Sequence, residues 1–160
     1  MRLVMDTSAL LSLEAGKILD LVIENFELVI PKRVEEELKG ISKNHDFEGN
    51  MAKRIFSFLE DEIKVIDASK HSEEGELECV YLANDLNVEF LITDDTAALE
   101  KLEKICKKKI AFSTTLLSAL IIKNELSKKE AINILERMRV KRNWKDNIIF
   151  EQAKSLLENY

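Results

Sequence analysis

The 160 residues of the chain suffice for one domain with a substantial core and are too few for two ordinary domains. A hydrophobic fraction of 46% excludes wholesale disorder, and no apolar run approaches the length of a membrane span. The net charge of −6 argues against a protein that coats nucleic acid, but it leaves room for an enzyme that binds nucleic acid locally.

Short apolar runs alternate with segments of helical periodicity along most of the chain. The runs predict strands at residues 3–5, 28–30, 63–66, 90–92 and 110–112. The periodic segments predict helices at about residues 8–25, 32–41, 48–61, 73–86 and 96–106. Strands separated by helices indicate a parallel sheet with right-handed crossovers and helices on both faces. The expected fold class is therefore α/β, with three layers (α/β/α) around a parallel five-stranded sheet.

After Phe112 the strand signals stop, and three further helices are predicted. Ser127 begins one of them as an N-cap, and Glu130 three residues later completes a capping box. No internal repeat or low-complexity linker separates these helices from the rest. We therefore expect a core over residues 1–125 and a helical extension over residues 126–160 that packs on the same domain.

The cysteines and histidines indicate neither disulfides nor zinc. Cys79 and Cys106 lie in apparently helical segments, so a disulfide framework is not expected and a reducing cytoplasm is. His45 and His71 are isolated, which gives no zinc cluster. Asp6 interrupts the first apolar stretch, so the N-terminus does not resemble a signal peptide.

Aspartates follow two of the predicted strands. Asp6 comes directly after the first strand, and Asp94 and Asp95 follow the fourth. In a parallel sheet, ligands bind at the carboxyl ends of strands near the switch in strand order. Clustered carboxylates repel one another and are costly to desolvate, so a divalent cation is the expected compensation. The alternative for any one of them is that it caps the next helix.

Two glutamates are placed by helical phase. Glu37 lies nearest the apolar stripe of its helix, which is formed by Val34, Leu38 and Ile41. In the later segment, Leu77, Val80, Tyr81 and Ala83 define a buried side, which Glu76 borders while Glu78 faces away. The alternative is that glutamates in a first helical turn simply complement the helix dipole.

Four motifs in order resemble the PIN-domain family. They are "VMDTSAL" after the first strand, "VIPKRVEEEL" entering the second helix region, "EEGELECVYLA" in the middle and "FLITDD" after the fourth strand. The middle motif resembles the prokaryotic branch that has "GE-x-E" in place of the commoner "Y-D-A". The resemblance covers nearly the whole chain, since the C-terminal residues also resemble the helical extension of that branch.

This resemblance implies a PIN-like core that binds Mg²⁺ or Mn²⁺ and hydrolyses RNA phosphodiester bonds as an endoribonuclease. Position by position, it implies four catalytic and metal-binding acids, which are Asp6, Glu37, Glu76 and Asp95. Asp94 is expected as an auxiliary metal ligand or a solvated neighbour. The hydroxyl residues expected to orient the acids are Thr7, Ser8 and Thr93. Glu76 replaces the more frequent Asp, which leaves the number of metal ions open.

Other aspartate chemistries fit less well. The haloacid-dehalogenase pattern requires a second aspartate two residues after the first, where this chain has Ser8. A receiver domain has its paired acids near the first strand and a lone acceptor later, which is the reverse of the order here. No serine has a histidine in its sequence context that would indicate a covalent triad.

A basic segment at residues 137–145 has two interpretations. Its cations and one aromatic residue predict a single-strand RNA platform, formed by Arg137, Arg139, Lys141, Arg142, Trp144 and Lys145. In the alternative, the cations stabilise the C-terminus of a helix, and Trp144 anchors the last helix in the core.

The resemblance also implies partners besides RNA. Many small members of the family are toxins of toxin–antitoxin pairs of the VapC type, held inactive by a small antitoxin, and homodimers are common. An acidic groove accepts an arginine or lysine of a partner as readily as a metal ion. The alternative function is a non-catalytic PIN-like protein that acts as a binding module or scaffold. The presence of all four acids favours the nuclease.

Overall fold

Five parallel strands form a single sheet with β1 at its centre. The structure, a computed structural model, describes residues 1–59, 61–68, 77–145 and 147–160. The strands are β1 (Arg2–Met5), β2 (Glu27–Pro31), β3 (Ile63–Ile66), β4 (Phe90–Ile92) and β5 (Lys109–Ala111), in the order β3-β2-β1-β4-β5. Leu3 of β1 pairs with Leu28 on one side and with Phe90 on the other. The predicted strands are confirmed to within one residue at each end.

Helices separate the strands and follow the last one. In the described residues they are α1 (Thr7–Ala15), α2 (Leu19–Asn25), α3 (Lys32–Ile41), α4 (Phe47–Phe56), α5 (Glu78–Asp85), α6 (Leu99–Ile105), α7 (Thr115–Ile122), α8 (Lys128–Lys141) and α9 (Ile148–Glu158). None of these helices is long and apolar enough to span a membrane.

Both faces of the sheet are covered, which explains why the strands read as continuous apolar runs. Leu3 and Met5 point into a larger core together with residues of α1–α4 and α7–α9. Val4, on the opposite face, packs with residues of α5 and α6 in a smaller core. The predicted three-layer α/β/α arrangement is confirmed.

The single helix predicted over residues 8–25 is wrong, because a turn divides it into α1 and α2. Lys17 adopts a left-handed backbone conformation with φ of 57°, which ends α1. Gly16 precedes it, and a Cβ built there would lie 2.7 Å from Met138 Cγ. The close approach of α8 therefore leaves no room for a side chain at this turn.

The C-terminal helices belong to the larger core. Ser127 and Glu130 form the predicted capping box, in which the Glu130 amide donates to Ser127 Oγ and the Ser127 amide donates to Glu130 Oε2. Ile134 of α8 and Trp144 are buried in the same core as α1. The division of the chain at residue 125 stays a prediction.

Candidate functional site

A pocket of about 300 Å³ lies at the carboxyl ends of β1, β2 and β4. These strands are adjacent in the sheet, so the residues that follow them meet at one edge, where parallel sheets bind ligands. The predicted site residues that line the pocket are Asp6, Thr7, Ser8, Glu37, Thr93 and Asp95. The structure thus brings together most of the residues that the sequence predicted.

Asp6 is held by hydrogen bonds from three directions. Its side chain caps α1 by accepting from the Ala9 amide, with 2.8 Å between Ala9 N and Asp6 Oδ1. Ser8 Oγ lies 2.8 Å from the same oxygen, and the Thr93 hydroxyl donates to Oδ2. Burial nevertheless raises the pKa of Asp6 to about 6, although these hydrogen bonds act to lower it. The capping and functional interpretations of Asp6 are therefore compatible.

Glu37 is fixed from both sides of its carboxylate. The Thr7 hydroxyl donates to Glu37 Oε2, and Arg33 Nε lies 3.0 Å from Glu37 Oε1 in an ion pair along α3. Thr7 is the first residue of α1, and Glu37 is on α3, so the Thr7–Glu37 hydrogen bond connects the ends of β1 and β2. Arg33 also lines the pocket, and the sequence had not singled it out.

Thr93 links the residues at the ends of β1 and β4. Its side chain is buried, and its hydroxyl donates to Asp6 while it accepts from the Asp95 amide, with 3.1 Å between Asp95 N and Thr93 Oγ1. Asp95 lines the pocket but is exposed, and its Oδ1 accepts from the amides of Ala97 and Ala98. The orienting role expected of Thr93 agrees with this geometry.

The carboxylate of Asp94 accepts hydrogen bonds from Ser113, a residue that does not line the pocket. Ser113 donates to it twice, through its amide at 2.9 Å and its hydroxyl at 2.6 Å. Burial raises the pKa of Asp94, and these hydrogen bonds act to lower it. The Asp94 amide donates to Ser8 Oγ. In this structure Asp94 is partly buried and is not among the residues that line the pocket, and its backbone amide supports Ser8.

Glu76, the predicted third acid, lies outside the described residues. The expectation that Glu78 faces away is wrong, because only 8% of Glu78 is exposed and its Oε2 has no hydrogen-bond partner within the described part of the chain. Leu82, four residues further along α5, is also buried. That apolar residue was the available signal, since residues four apart share a helix face.

The pKa of Cys79, which lines the pocket, is affected by the surrounding carboxylates. Burial is the main cause that raises the pKa of this thiol well above its usual value, and the carboxylates of Asp6, Glu37 and Glu78 raise it further. Its Sγ lies 3.8 Å from the carbonyl oxygen of Met5 at the end of β1. Glu78 therefore acts electrostatically on the same thiol as the two acids that line the pocket.

The chemistry of the donors fits a hard divalent cation. Carboxylate oxygens are preferred by Mg²⁺ and Mn²⁺, and Glu78 offers a buried oxygen without a partner among the described residues. Asp6 is costly to ionise where it lies, which a nearby cation would relieve. In the described parts of the chain, however, no three Asp, Glu, His or Cys side chains are close enough to form a ready metal site.

The basic segment at residues 137–145 does not form the predicted stacking platform. Trp144 is 7% exposed and packs in the larger core, so its ring has no face available for a base. Arg139 pairs with Glu136, and Arg142 pairs with Glu48. The alternative, in which Trp144 is an anchor in the core, agrees with the structure.

A family model and a solved structure are similar to this chain. A family model described as a PIN domain matches residues 2–159. No curated protein matches the sequence. Among solved structures, the chain is similar to one in the crystal structure of VapBC2 from Rickettsia felis bound to a DNA fragment from their promoter. That similarity has 17% sequence identity and a TM-score of 0.48, and it covers 70% of this chain and 98% of the other. Because the family model spans nearly the whole sequence, the chain belongs to the PIN-domain family.

Proposed function

We propose that the protein is a divalent-metal-dependent endoribonuclease that hydrolyses RNA phosphodiester bonds. The observation that carries this proposal is the carboxylate of Asp6, which hydroxyl groups hold in the same pocket as Glu37 and Asp95. Burial raises the pKa of Asp6 to about 6, and such a raised pKa is typical of a site where a bound cation balances the carboxylate charge. Membership of the PIN-domain family supports a nuclease.

Asp6, Glu37 and Asp95 would hold Mg²⁺ or Mn²⁺ together with a further acid. We assign that fourth position to Glu78, because its unpaired oxygen is buried and its charge acts on Cys79 together with Asp6 and Glu37. Glu76 is the alternative for the same position. When bound, the cation would lower the pKa of a coordinated water and stabilise charge on the phosphoryl oxygens.

The hydroxyl residues fix the acids before any ligand arrives. Ser8 and Thr93 hold Asp6, and Thr7 holds Glu37, so their carboxylates lose little freedom when they bind a ligand. Asp94 acts one step further out, because its backbone amide orients Ser8 and its side chain is tied to Ser113. We therefore propose Asp94 as a positioning residue in place of an auxiliary ligand.

The first test is cleavage of a mixed RNA panel in Mn²⁺ or Mg²⁺, with EDTA as a control. We expect cleavage that requires the metal and falls more than about 100-fold in Asp6→Asn. Asp46→Asn is the matched control, because Asp46 caps α4 through the Gly49 amide as Asp6 caps α1 through the Ala9 amide. Cleavage that persists in EDTA or in Asp6→Asn would contradict the proposal.

The same assay separates the two middle glutamates. Glu78→Gln should lose activity to the same degree as Asp6→Asn, whereas Glu76→Gln should retain most of it. The two residues are neighbours in sequence with the same side chain, so each variant is the control for the other. The reverse result would assign the fourth position to Glu76.

We also propose that the enzyme is the toxin of a toxin–antitoxin pair in the cytoplasm. The acidic pocket would accept a basic side chain of an antitoxin in place of the cation, and both cysteines are free thiols, as in a reducing compartment. A purified antitoxin candidate should inhibit cleavage and bind less tightly to Asp6→Asn. Unchanged binding by that variant, in a protein that cleaves no RNA, would favour the scaffold function. A homodimer stays a prediction.

A further inference from the structure

Arg33 is the cationic side chain among the described residues that line the acidic pocket. It lies in the first turn of α3, directly after β2 ends, and its side chain is half-exposed. The other charged residues in that lining are Asp6, Glu37 and Asp95. A lone guanidinium among carboxylates needs an explanation, because an acidic pocket repels the polyanion that a nuclease must bind.

The ion pair with Glu37 uses only part of the guanidinium. Arg33 Nε donates to Glu37 Oε1 over 3.0 Å, and the charge of Glu37 raises the pKa of the arginine further. Among the described residues, neither terminal nitrogen of Arg33 has a recorded hydrogen-bond partner. The bond at Nε leaves this pocket-lining side chain with terminal N–H groups that can donate to a ligand.

We propose that Arg33 forms a phosphate subsite beside the metal-binding acids, which binds a phosphodiester of single-stranded RNA. This inference rests on the proposed nuclease function and names the part of the substrate that the pocket contacts. A planar guanidinium binds phosphate through two parallel N–H···O bonds, and Arg suits this contact better than Lys. The start of α3 lies at the same place, and the positive end of its dipole favours the same anion.

Glu37 then links the two parts of the site. One of its oxygens accepts from Arg33, and the other accepts from the Thr7 hydroxyl at the end of β1. The glutamate therefore orients the arginine while belonging to the acidic set. A phosphate bound by the terminal nitrogens would be fixed relative to Asp6 through this chain of contacts. The subsite contributes position as well as charge.

The test is binding of a short, labelled 2′-O-methyl oligoribonucleotide to the full chain at several salt concentrations, in Mn²⁺ and in EDTA. Arg33→Gln should raise Kd about 10-fold or more and reduce the slope of log K against log salt by about 0.7, as expected for one lost phosphate contact with a single strand. Arg33→Lys should restore the slope but only part of the affinity.

Arg2→Gln is the matched control. Arg2 also pairs with a glutamate, since its Nη2 lies 2.8 Å from Glu27 Oε1, and its exposure is similar, but it lies at the opposite edge of the sheet. That variant removes the same charge and should leave the salt slope unchanged. Equal slopes and equal Kd values for Arg33→Gln and Arg2→Gln would overturn the inference.

Binding of Mn²⁺ separates this inference from the proposed function. Free Mn²⁺ is measured by electron paramagnetic resonance as it is titrated into wild type, Arg33→Gln and Arg2→Gln. Arg33→Gln should bind Mn²⁺ at least as tightly as wild type, because a cation next to Glu37 has been removed. A wild type that binds no Mn²⁺ would contradict the nuclease, whereas intact Mn²⁺ binding with an unchanged salt slope would contradict only the phosphate subsite.

Discussion

Asp6 shows how one side chain serves the fold and the site at the same time. As the N-cap of α1 it must accept a hydrogen bond, which either an aspartate or an asparagine can do. Its burial makes the charged form costly, and burial is the largest cause of its raised pKa. Capping alone therefore does not require the charged form, which is consistent with the role that we propose for Asp6 in the pocket.

The first prediction concerns the stability of the metal-free protein. An acid whose pKa is higher in the folded protein than in the unfolded chain stabilises the fold only while it is protonated. For Asp6 this contribution is present below about pH 4 and is lost as the pH rises to about 6. Asp6→Asn should therefore be more stable than wild type at pH 8, by up to about 3 kcal/mol.

The measurement is urea unfolding in EDTA at several pH values between about 4 and 8, a range that spans the titration of Asp6. The gain of Asp6→Asn should shrink as the pH falls. Asp46→Asn, which preserves the cap of α4, is the control and should show no such pH-dependent gain. An Asp6→Asn variant that is less stable than wild type at pH 8 would show that the charge stabilises the fold.

At the scale of elements, the turn at Gly16 and Lys17 divides α1 from α2. The apolar pattern continues across this turn, with Leu13 before it and Ile18 after it, so periodicity alone predicted one helix. Lys17 ends α1 in a left-handed conformation, and the glycine before it leaves room for the close approach of Met138, which lies far along the chain. Local sequence carries little information about such a contact.

Two glycines provide a matched pair for the second prediction. A Cβ at Gly16 would lie 2.7 Å from Met138 Cγ and 3.2 Å from Ile134 Cγ2, whereas a Cβ at Gly40 would meet nothing within 4 Å. Gly16→Ala should destabilise the protein by about 1–3 kcal/mol through overpacking. Gly40→Ala, within α3, should stabilise it by about 0.5–1 kcal/mol.

Both variants are compared by chemical denaturation in the same buffer. Equal effects of the two substitutions would show that α8 does not pack tightly on the turn. In a Met138→Ala background, Gly16→Ala should cost less stability than it does in wild type, because the atom that the new methyl group meets has been removed.

Helix α5 shows a second limit of local patterns. The phase drawn through Leu77, Val80 and Ala83 placed these residues correctly in the core. That phase left out Glu78, because it assumed a single narrow apolar stripe. In the structure α5 packs against three strands and buries a wider face of the helix. A helix that covers the middle of a sheet can thus bury a polar residue beside its main stripe.

At the scale of the whole molecule, the predicted fold was confirmed because parallel strands and their crossovers follow strict rules. Strands buried on both faces are visible as apolar runs, and β1 has partners on both sides. These rules also placed Asp6 and Asp95 at one edge of the sheet. They could not place the side chain of Asp94, which turns to Ser113 because β5 ends beside β4.

The third prediction uses metal binding as a measure of the assembled site. A ligand that binds only the folded state at 100 times its Kd adds about 2.7 kcal/mol of stability. Mn²⁺ should therefore raise the Tm of wild type, and the rise should vanish in Asp6→Asn and in Glu37→Gln. Asp94→Asn should keep the rise, because the carboxylate of Asp94 binds Ser113 and not the pocket.

The Tm is measured by differential scanning fluorimetry with Mn²⁺ and with EDTA. A rise that survives both Asp6→Asn and Glu37→Gln would contradict the assigned ligands. A rise that is lost in Asp94→Asn would restore Asp94 as a ligand.

The central position of β1 also determines when the site forms during synthesis. Thr93 lies 87 positions after Asp6, and its hydroxyl reaches Asp6 only once β4 is beside β1. Helix α8, which closes over the turn after α1, is translated later still. Asp6 therefore leaves the ribosome well before Thr93 and Asp95, which follow it in the chain. A nascent chain therefore carries no assembled site until β4 has emerged and paired with β1, so the synthesis of Asp6 and the assembly of the pocket around it are separated in time.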